Sequence, residues 1–427
     1  MTKEVEMLLV PFGKGPDDPR RASEGSAVEL NDGRIFYAYS HFSQSGHDCD
    51  VSEMRAMISE DSEGTKWGKP YVIVPNEGRL NTMIACLARL GTQGKRLMRT
   101  LEKETPDDIL KGTEGGPIGF VYLKQDTIRD TSWCFRLSRD EGRSWSAEQR
   151  INDPMTGGGF KNDVLMVLSN GRIIMPGGWG HGGLGVSFLY YSDDEGYTWF
   201  RSEDEICIRQ KALREDGKPG HPVSFTHFSE FNLVELKDGR LMGIGRNLTG
   251  RIWKTYSHDL GDTWSDPVPM ELASSLSPAT VKRIPSTGDL LMIWNQVTAE
   301  EIKLLWSRCR LSCAISKDEG ETWEHFKNLE SLDDTTRIEP EDMGDQFDVG
   351  RVASRHQAMF DGRQPLDPKK YPRLNEGYGH IDYQSLCFTR DNRAVITYFV
   401  GADKPLEEVG MKLRILPVEW FYGEGIP

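Results

Sequence analysis

The sequence of 427 residues lacks the features that mark several large classes of protein. No apolar run approaches the roughly 18 residues that a membrane-spanning helix needs, so we predict no membrane partner. The sequence shows no heptad repeat, so we predict no coiled coil. The formal net charge of −14 argues against a nucleic-acid partner, because phosphate binding requires an excess of positive charge. An anionic small molecule is still compatible with this charge, because local arginine clusters decide that question.

Cysteine is scarce and shows no pairing pattern. The chain has seven cysteines, an odd number, and only Cys309 and Cys313 lie close together in sequence. We therefore expect reduced thiols rather than a disulfide framework. The first residues also carry no apolar signal segment. Together these observations predict a cytoplasmic protein, although a secreted protein whose leader had been removed would look the same.

Metal-binding patterns are absent as well. The nine histidines include no pair at helical i, i+4 spacing and none at the short intervals of zinc-binding motifs. We accordingly predict that the protein uses no metal and no cofactor.

What the sequence does contain is one phrase of eight residues, Ser-x-Asp-x-Gly-x-Ser/Thr-Trp, repeated at intervals of roughly 60 residues. Asp accepts hydrogen bonds from amides two residues on, and Gly supplies a left-handed backbone conformation, so the phrase predicts a tight turn. We expect its Trp to pack against the next strand and the phrase to serve structure, not chemistry. Four copies are regular and a fifth is one residue longer; they begin at Ser138, Ser192, Ser257, Ser316 and, for the longer copy, Ser59.

A second signal, a strand followed by an Asp-Gly-type turn and another strand, occurs ahead of the phrases, for example at Asp32-Gly33 and Asp238-Gly239. Each unit then consists of four antiparallel strands, which is the blade of a β-propeller. We predict an all-β fold with six such blades, seven being the alternative. We expect residues 5–10 to supply a strand that closes the ring against the last blade. The chain is interpreted as a single domain, 1–427, with loop insertions at about 91–117 and 330–377.

Propellers place their sites at one mouth of the central channel, so polar residues in or next to the first strand of each blade are candidates. Glu230 and Arg246 fall at the same end of two adjacent strands, where they form either a site or a structural ion pair. The other candidates lie at corresponding places in the remaining blades: Arg20, Arg21 and Glu24; Asp48 and Asp50; Lys161, Asn162 and Asp163; Arg308 and Arg310; His380 and Tyr383.

The repeated phrase is identified as the Asp-box, and over nearly its whole length the chain resembles the sialidase superfamily of six-bladed propellers. Ser229-Glu230 with Arg246 is similar to the strand pair that supplies the partner of the nucleophile and one carboxylate-binding arginine. The segment from Tyr383 to Leu386 resembles the one that carries the tyrosine nucleophile. The resemblance further implies Arg308, or Arg310 instead, as a second such arginine. It implies Asp48 or Asp50 as the acid/base.

These residue types suit a sugar acid whose carboxylate sits on the anomeric carbon. A carboxylate nucleophile would be repelled there, whereas a Tyr hydroxyl is not, provided that a Glu takes its proton. One position departs from the family: Glu24-Gly25-Ser26 stands where a sialidase has the arginine of the first blade. Arg20 or Arg21 would have to substitute for it.

We therefore expect an exo-acting glycoside hydrolase that cleaves a terminal acidic sugar from a glycan. A propeller polysaccharide lyase is the first alternative, with Tyr383 and His380 or His227 as base and acid and with Arg246 neutralising a uronate. A non-catalytic glycan- or protein-binding propeller is the second.

Overall fold

The computed structural model contains six sheets of four antiparallel strands arranged as a β-propeller, and a separate two-stranded sheet. The prediction of an all-β propeller with six blades is confirmed. The structure describes residues 4–423 apart from a set of short gaps and longer segments: 14, 16, 45–47, 91–114, 128, 155–156, 182–183, 211–223, 227, 248, 299–300, 302–307, 332, 342–379 and 402–408. Most of both predicted loop insertions therefore lies outside the described residues.

Each blade runs outwards from an inner strand next to the channel. Blade 1 consists of β2 Arg21–Glu29, β3 Ile35–Phe42, β4 Ser52–Ile58 and β5 Tyr71–Val74. Blade 2 consists of β6 Asn81–Arg89, β7 Ile118–Thr127, β8 Asp130–Ser138 and β9 Gln149–Arg150. Blade 3 consists of β10 Met166–Val167, β11 Ile173–His181, β12 Leu184–Ser192 and β13 Phe200–Arg201. The separate sheet follows, with β14 Ile208–Gln210 and β15 Ser224–Thr226. Blade 4 consists of β16 Ser229–Glu235, β17 Leu241–Arg246, β18 Arg251–Ser257 and β19 Val268–Ala273. Blade 5 consists of β20 Thr280–Arg283, β21 Leu290–Asn295, β22 Arg310–Ser316 and β23 Glu324–Ser331. Blade 6 consists of β24 His380–Phe388, β25 Arg393–Gly401, β26 Gly410–Pro417 and the N-terminal strand β1 Val5–Pro11.

The ring closes through β1. This strand pairs antiparallel with β26, with Val5 opposite Ile415, and so becomes the outermost strand of blade 6. A short 3₁₀ helix, Val418–Tyr422, follows β26. The predicted closure by the first strand is thus confirmed. No helix in the described part of the chain is long and apolar enough to cross a membrane.

The hydrophobic core is divided among the gaps between blades. Six clusters of buried side chains fill the six interfaces between neighbouring blades. The Trp that ends each copy of the repeated phrase packs into the cluster between its own blade and the preceding one. These residues are Trp67, Trp145, Trp199, Trp264 and Trp323. The phrase therefore does more than turn the chain, because it also joins one blade to the one before it.

The copy that begins at Ser257 shows how the turn is built. Asp259 accepts hydrogen bonds from the amide of Thr263 at 2.9 Å and from its hydroxyl at 2.5 Å. Gly261 has φ +100, and a Cβ placed there would lie 2.9 Å from Leu189 of blade 3. Glycine is required for both reasons, since it tolerates the left-handed backbone and allows close contact with the preceding blade.

We predict that Asp259→Ala lowers the free energy of unfolding at neutral pH by about 1 kcal/mol, because it removes the exposed carboxylate that accepts these turn hydrogen bonds. Burial works against ionisation of Asp259, but the hydrogen bonds from Thr263 outweigh it and lower the pKa of the carboxyl. A lowered pKa in the folded state stabilises the protein above the unfolded value of 3.8, and that contribution disappears as the pH falls. Urea unfolding of both proteins at several pH values should show the difference shrinking below about pH 4.

Asp266→Ala is the matched control, because this exposed residue lies just beyond the same turn. Its effect should stay within about 0.5 kcal/mol. Equal losses for the two variants would contradict the role given to the turn.

Candidate functional site

The site is organised by a repeated irregularity in the inner strands. Within the part of the chain that the structure describes, the hydrogen-bond register of the inner strand shifts at the same place in four blades, between Ser23 and Ser26 in blade 1 and at the corresponding positions in blades 2, 4 and 6. The first residue inside each bulge adopts a left-handed backbone: Glu24 (φ 47), Ile84 (φ 64), Glu230 (φ 47) and Tyr383 (φ 49). Non-glycine residues rarely adopt this conformation, and it concentrates at functional sites. Three of the four are residues that the sequence singled out.

The bulge of blade 1 depends on a glycine for a reason of space. A Cβ on Gly25 would lie 2.1 Å from the hydroxyl oxygen of Tyr37, whose side chain is fully buried in the adjacent strand. Only glycine therefore fits between Glu24 and Ser26. This explains the Glu-Gly-Ser sequence of the first blade.

Tyr383 and Glu230 meet across the channel from blades 6 and 4. The Tyr383 hydroxyl donates to Glu230 Oε1 at 3.1 Å, and Arg246 contacts the same oxygen at 3.0 Å. Glu230 Oε2 is buried and has no hydrogen-bond partner among the described residues. Burial, followed by the charge of Glu230, raises the pKa of Tyr383, while Arg246 and Arg308 oppose this. The phenol is consequently protonated at neutral pH and has a carboxylate beside it.

Arg308, and not Arg310, lies beside Tyr383. Its guanidinium carbon is 5.5 Å from the centre of the Tyr383 ring, and it forms an ion pair with Asp382. Arg310 instead pairs with Glu301 and Asp333. The structure thus separates the two candidates that the sequence left open. Asp382 had no role predicted from the sequence; its place next to Tyr383 in an inner strand was the available signal.

Arg21 occupies the site from blade 1. Its Nη2 lies 2.5 Å from Glu24 Oε1, and Nη1 forms an ion pair with Asp48. Arg21 also contributes to the electrostatic surroundings of Tyr383. Arg20 instead donates to the carbonyl of Gly13. The sequence expected Arg20 or Arg21 to take the place of the first-blade arginine, and the structure brings Arg21, together with Glu24, to the candidate site.

Glu24 is buried and receives a hydrogen bond from Ser23. Burial raises its pKa; Arg21 opposes this shift, and the charges of Asp48 and Asp382 add to it. The Asp48 side chain is 65% exposed, at the rim of the site. Asp50 is half-buried two residues further along the same loop.

The remaining candidates differ in what the structure describes. His227 and the side chain of His380 lie outside the description. Among the described residues no group of three or more His, Cys, Asp or Glu side chains is arranged to hold a metal ion.

Three further candidates, Lys161, Asn162 and Asp163, had no role predicted from the sequence. Lys161, Asn162 and Asp163 are each no more than 1% exposed and reach across the channel towards the bulges of other blades. Three polar residues in a row before a short strand were the available signal.

Comparisons with known proteins agree with this architecture. Residues 120–391 match a family model described as "BNR repeat-like domain". A Hadza microbial sialidase, Hz136, superposes with a TM-score of 0.63 at 14% identity over 97% of this chain and 69% of that one. The intramolecular trans-sialidase from Ruminococcus gnavus gives 0.60 at 13% over 98% and 99%. A protein of unknown function from Dyadobacter fermentans gives 0.60 at 14% over 97% and 99%. At these identities the structural likeness concerns the fold.

We predict that Gly25→Ala destabilises the protein by about 1–3 kcal/mol, because the new methyl group overlaps Tyr37 in a packed interior. Thermal unfolding should show the loss. Gly159→Ala is the matched control, since a Cβ there would meet only Leu123 at 3.9 Å. If the two variants melt at the same temperature, the close contact with Tyr37 does not constrain the bulge.

Proposed function

The chain belongs to the family of BNR repeat-like domains, with a sialidase-like propeller fold, and we propose that it is an exo-acting glycoside hydrolase for a terminal acidic sugar on a glycan. The observation that carries the proposal is the Tyr383–Glu230 hydrogen bond. A phenol held against a carboxylate, with arginines on either side, suits attack on an anomeric carbon that bears a negative group.

In the first step Glu230 takes the Tyr383 proton as the phenolic oxygen bonds to the anomeric carbon. The bond to the leaving oxygen breaks, and that oxygen receives a proton from Asp48. In the second step Asp48 takes a proton from a water molecule whose oxygen attacks the same carbon. Tyr383 then departs and regains its proton from Glu230. Two displacements at one carbon predict that the anomeric configuration is retained.

The raised pKa of Tyr383 explains why this step requires its neighbours. Burial and the charge of Glu230 both disfavour a phenolate, so the hydroxyl is a weak nucleophile by itself. Proton transfer to Glu230 removes the negative charge that opposes phenolate formation. Arg246 and Arg308 then favour the phenolate electrostatically.

Arg21, Arg246 and Arg308 converge on this centre and are suited to hold a substrate carboxylate, because guanidinium groups bind carboxylates bidentately. Each already contacts a protein carboxylate, so the substrate would share these arginines with groups that are in place. Asp48 is exposed at the rim. A bound glycan would cover it and provide the drier surroundings that a general acid needs near neutral pH.

The substrate class is tested by incubating the protein with terminal sialosides, related keto-acid glycosides, uronides and neutral glycosides. Hydrolysis releases a reducing sugar, a lyase would form an unsaturated product that absorbs ultraviolet light, and a binding protein would do neither. Release of a reducing sugar from the keto-acid glycosides is the expected result. Turnover of the uronides with ultraviolet absorption, or no turnover of any glycoside, would contradict the proposal.

We predict that Tyr383→Phe lowers kcat by about 10³-fold or more while ligand affinity changes little, because the variant removes the nucleophilic oxygen and keeps the ring. Steady-state kinetics and calorimetric titration with an unsaturated analogue of the sugar acid measure the two effects.

Tyr398→Phe is the matched control for this variant. Tyr398 is also buried and also donates to a glutamate, Glu330 at 2.9 Å, but it lies in a different part of blade 6. It should keep wild-type turnover. Normal activity of Tyr383→Phe would remove Tyr383 as the nucleophile.

We predict that Arg308→Lys raises KM for an acidic substrate by about 10–100-fold, because Lys cannot make the bidentate contact that Arg makes. Arg310→Lys is the control, since Arg310 is directed to Glu301 and Asp333. It should change stability and leave KM close to wild type. The assignment of the two arginines is wrong if Arg310→Lys raises KM and Arg308→Lys does not.

A further inference from the structure

A buried polar segment, Lys161–Asn162–Asp163, lies where the inner strands of the propeller converge. It belongs to blade 3 and ends two residues before the short inner strand of that blade, which begins at Met166. Its hydrogen bonds nevertheless reach blades 1, 2, 5 and 6. Burying three such residues in succession is unfavourable unless their polar groups are satisfied, so the contacts they make call for a specific explanation.

The bulges leave buried carbonyl groups that require hydrogen-bond donors from outside the strand ladder, and this segment supplies them. Where the register shifts, residues such as Tyr383 and Gln384 fall outside the antiparallel ladder, and their carbonyl groups lose the usual partner in the neighbouring strand. A buried carbonyl without a partner is costly, so another donor has to replace the ladder.

Asn162 and Lys161 supply these donors. The Asn162 amide donates to the carbonyl of Gly25 at 2.7 Å and to that of Tyr383 at 3.1 Å, and so bridges the bulges of blades 1 and 6. Lys161 Nζ donates to the carbonyl of Gln384 at 3.1 Å and to the hydroxyl of Thr280 at 2.6 Å. The Asn162 side chain therefore links the backbone of Tyr383, the proposed nucleophile, to the backbone beside Glu24.

Asp163 extends the same pattern. Its amide donates to the carbonyl of Ala85 in the blade 2 bulge at 3.1 Å. Its carboxylate accepts from the Ser26 hydroxyl and from the Leu386 amide, each at 2.8 Å, just beyond the bulges of blades 1 and 6. Lys282 of blade 5 balances its charge at 2.8 Å. Three of the four bulges are thus held by this one segment.

We infer that Lys161, Asn162 and Asp163 are positioning residues for the proposed reaction, which act on Tyr383 and Glu24 through the backbone of the bulges that carry them. None of the three has to touch the substrate for this role. Burial also lowers the pKa of Lys161 to about 8, which agrees with a lysine retained for its hydrogen bonds in surroundings that disfavour its charge. The inference rests on the proposed function only for its kinetic consequence.

Asn162→Leu tests the inference, because it keeps the approximate volume and removes the donor. Hydrogen–deuterium exchange should become at least tenfold faster in peptides that cover residues 382–388 and 21–29. Exchange in residues 229–235 is an internal reference, since that bulge receives no described hydrogen bond from the segment. With a substrate of the wild-type protein, kcat should fall at least tenfold while KM changes less than threefold.

Two further variants keep the test decisive. Thr280→Val is milder. It removes a hydroxyl that accepts from Lys161 and itself donates to the carbonyl of Gln384 at 3.4 Å, so it should loosen the bulge of blade 6 selectively, with a smaller effect than Asn162→Leu. Asn152→Leu is the matched control, because buried Asn152 makes comparable hydrogen bonds to Thr131 and Trp133 within blade 2. It should lower stability without a selective change in kcat.

Uniformly faster exchange in all blades, or the same loss of kcat in Asn162→Leu and Asn152→Leu, would overturn the inference. If the wild-type protein hydrolyses no glycoside, the proposed function fails. The exchange pattern would still decide whether the segment positions the two bulges.

Discussion

The structure of the site depends on one constraint, the break in the hydrogen-bond ladder of the inner strands. A regular strand presents its side chains alternately to its two faces, whereas the bulge inserts a residue with a left-handed backbone, as at Glu230 and Tyr383. The break brings these two side chains to within hydrogen-bond distance from different blades. It also leaves buried carbonyl groups that need new donors. The amide of Asn162 meets that need, and the small size of Gly25 allows the bulge of blade 1 to lie against Tyr37.

The fold was predictable because its information is local and repeated. An Asp, a Gly and a Trp at fixed spacing dictate the same turn each time, and four clear copies identify the repeating unit without knowledge of distant contacts. The packing direction of Trp264 was not predictable in this way. It follows from how one blade rests on the one before it, and the spacing within a phrase carries no information about the neighbouring blade.

Chemistry and sequence context together marked Tyr383, Glu230 and Arg246 as candidates, and the structure brings these three side chains into contact. The choice between Arg308 and Arg310 was not predictable, because residues two positions apart point to the same face of a regular strand. In the structure β22 begins only at Arg310, so Arg308 lies in the preceding loop and is free of that alternation. Arg21, which the sequence offered together with Arg20, could not be chosen over it by counting residues. The register shift after Ser23 invalidates any count along the strand from Glu24.

The charges around Tyr383 constrain how an acidic substrate would bind. Among the described residues, Arg21, Arg246 and Arg308 face the four carboxylates of Glu24, Asp48, Glu230 and Asp382, so these groups carry no excess of positive charge before a ligand arrives. A substrate carboxylate would add another negative charge, and a proton on one of these groups would offset it. Glu230 must remain ionised to accept the Tyr383 proton in the proposed mechanism. Burial already raises the pKa of Glu24, so this residue is the one suited to hold such a proton while Arg21 turns to the substrate.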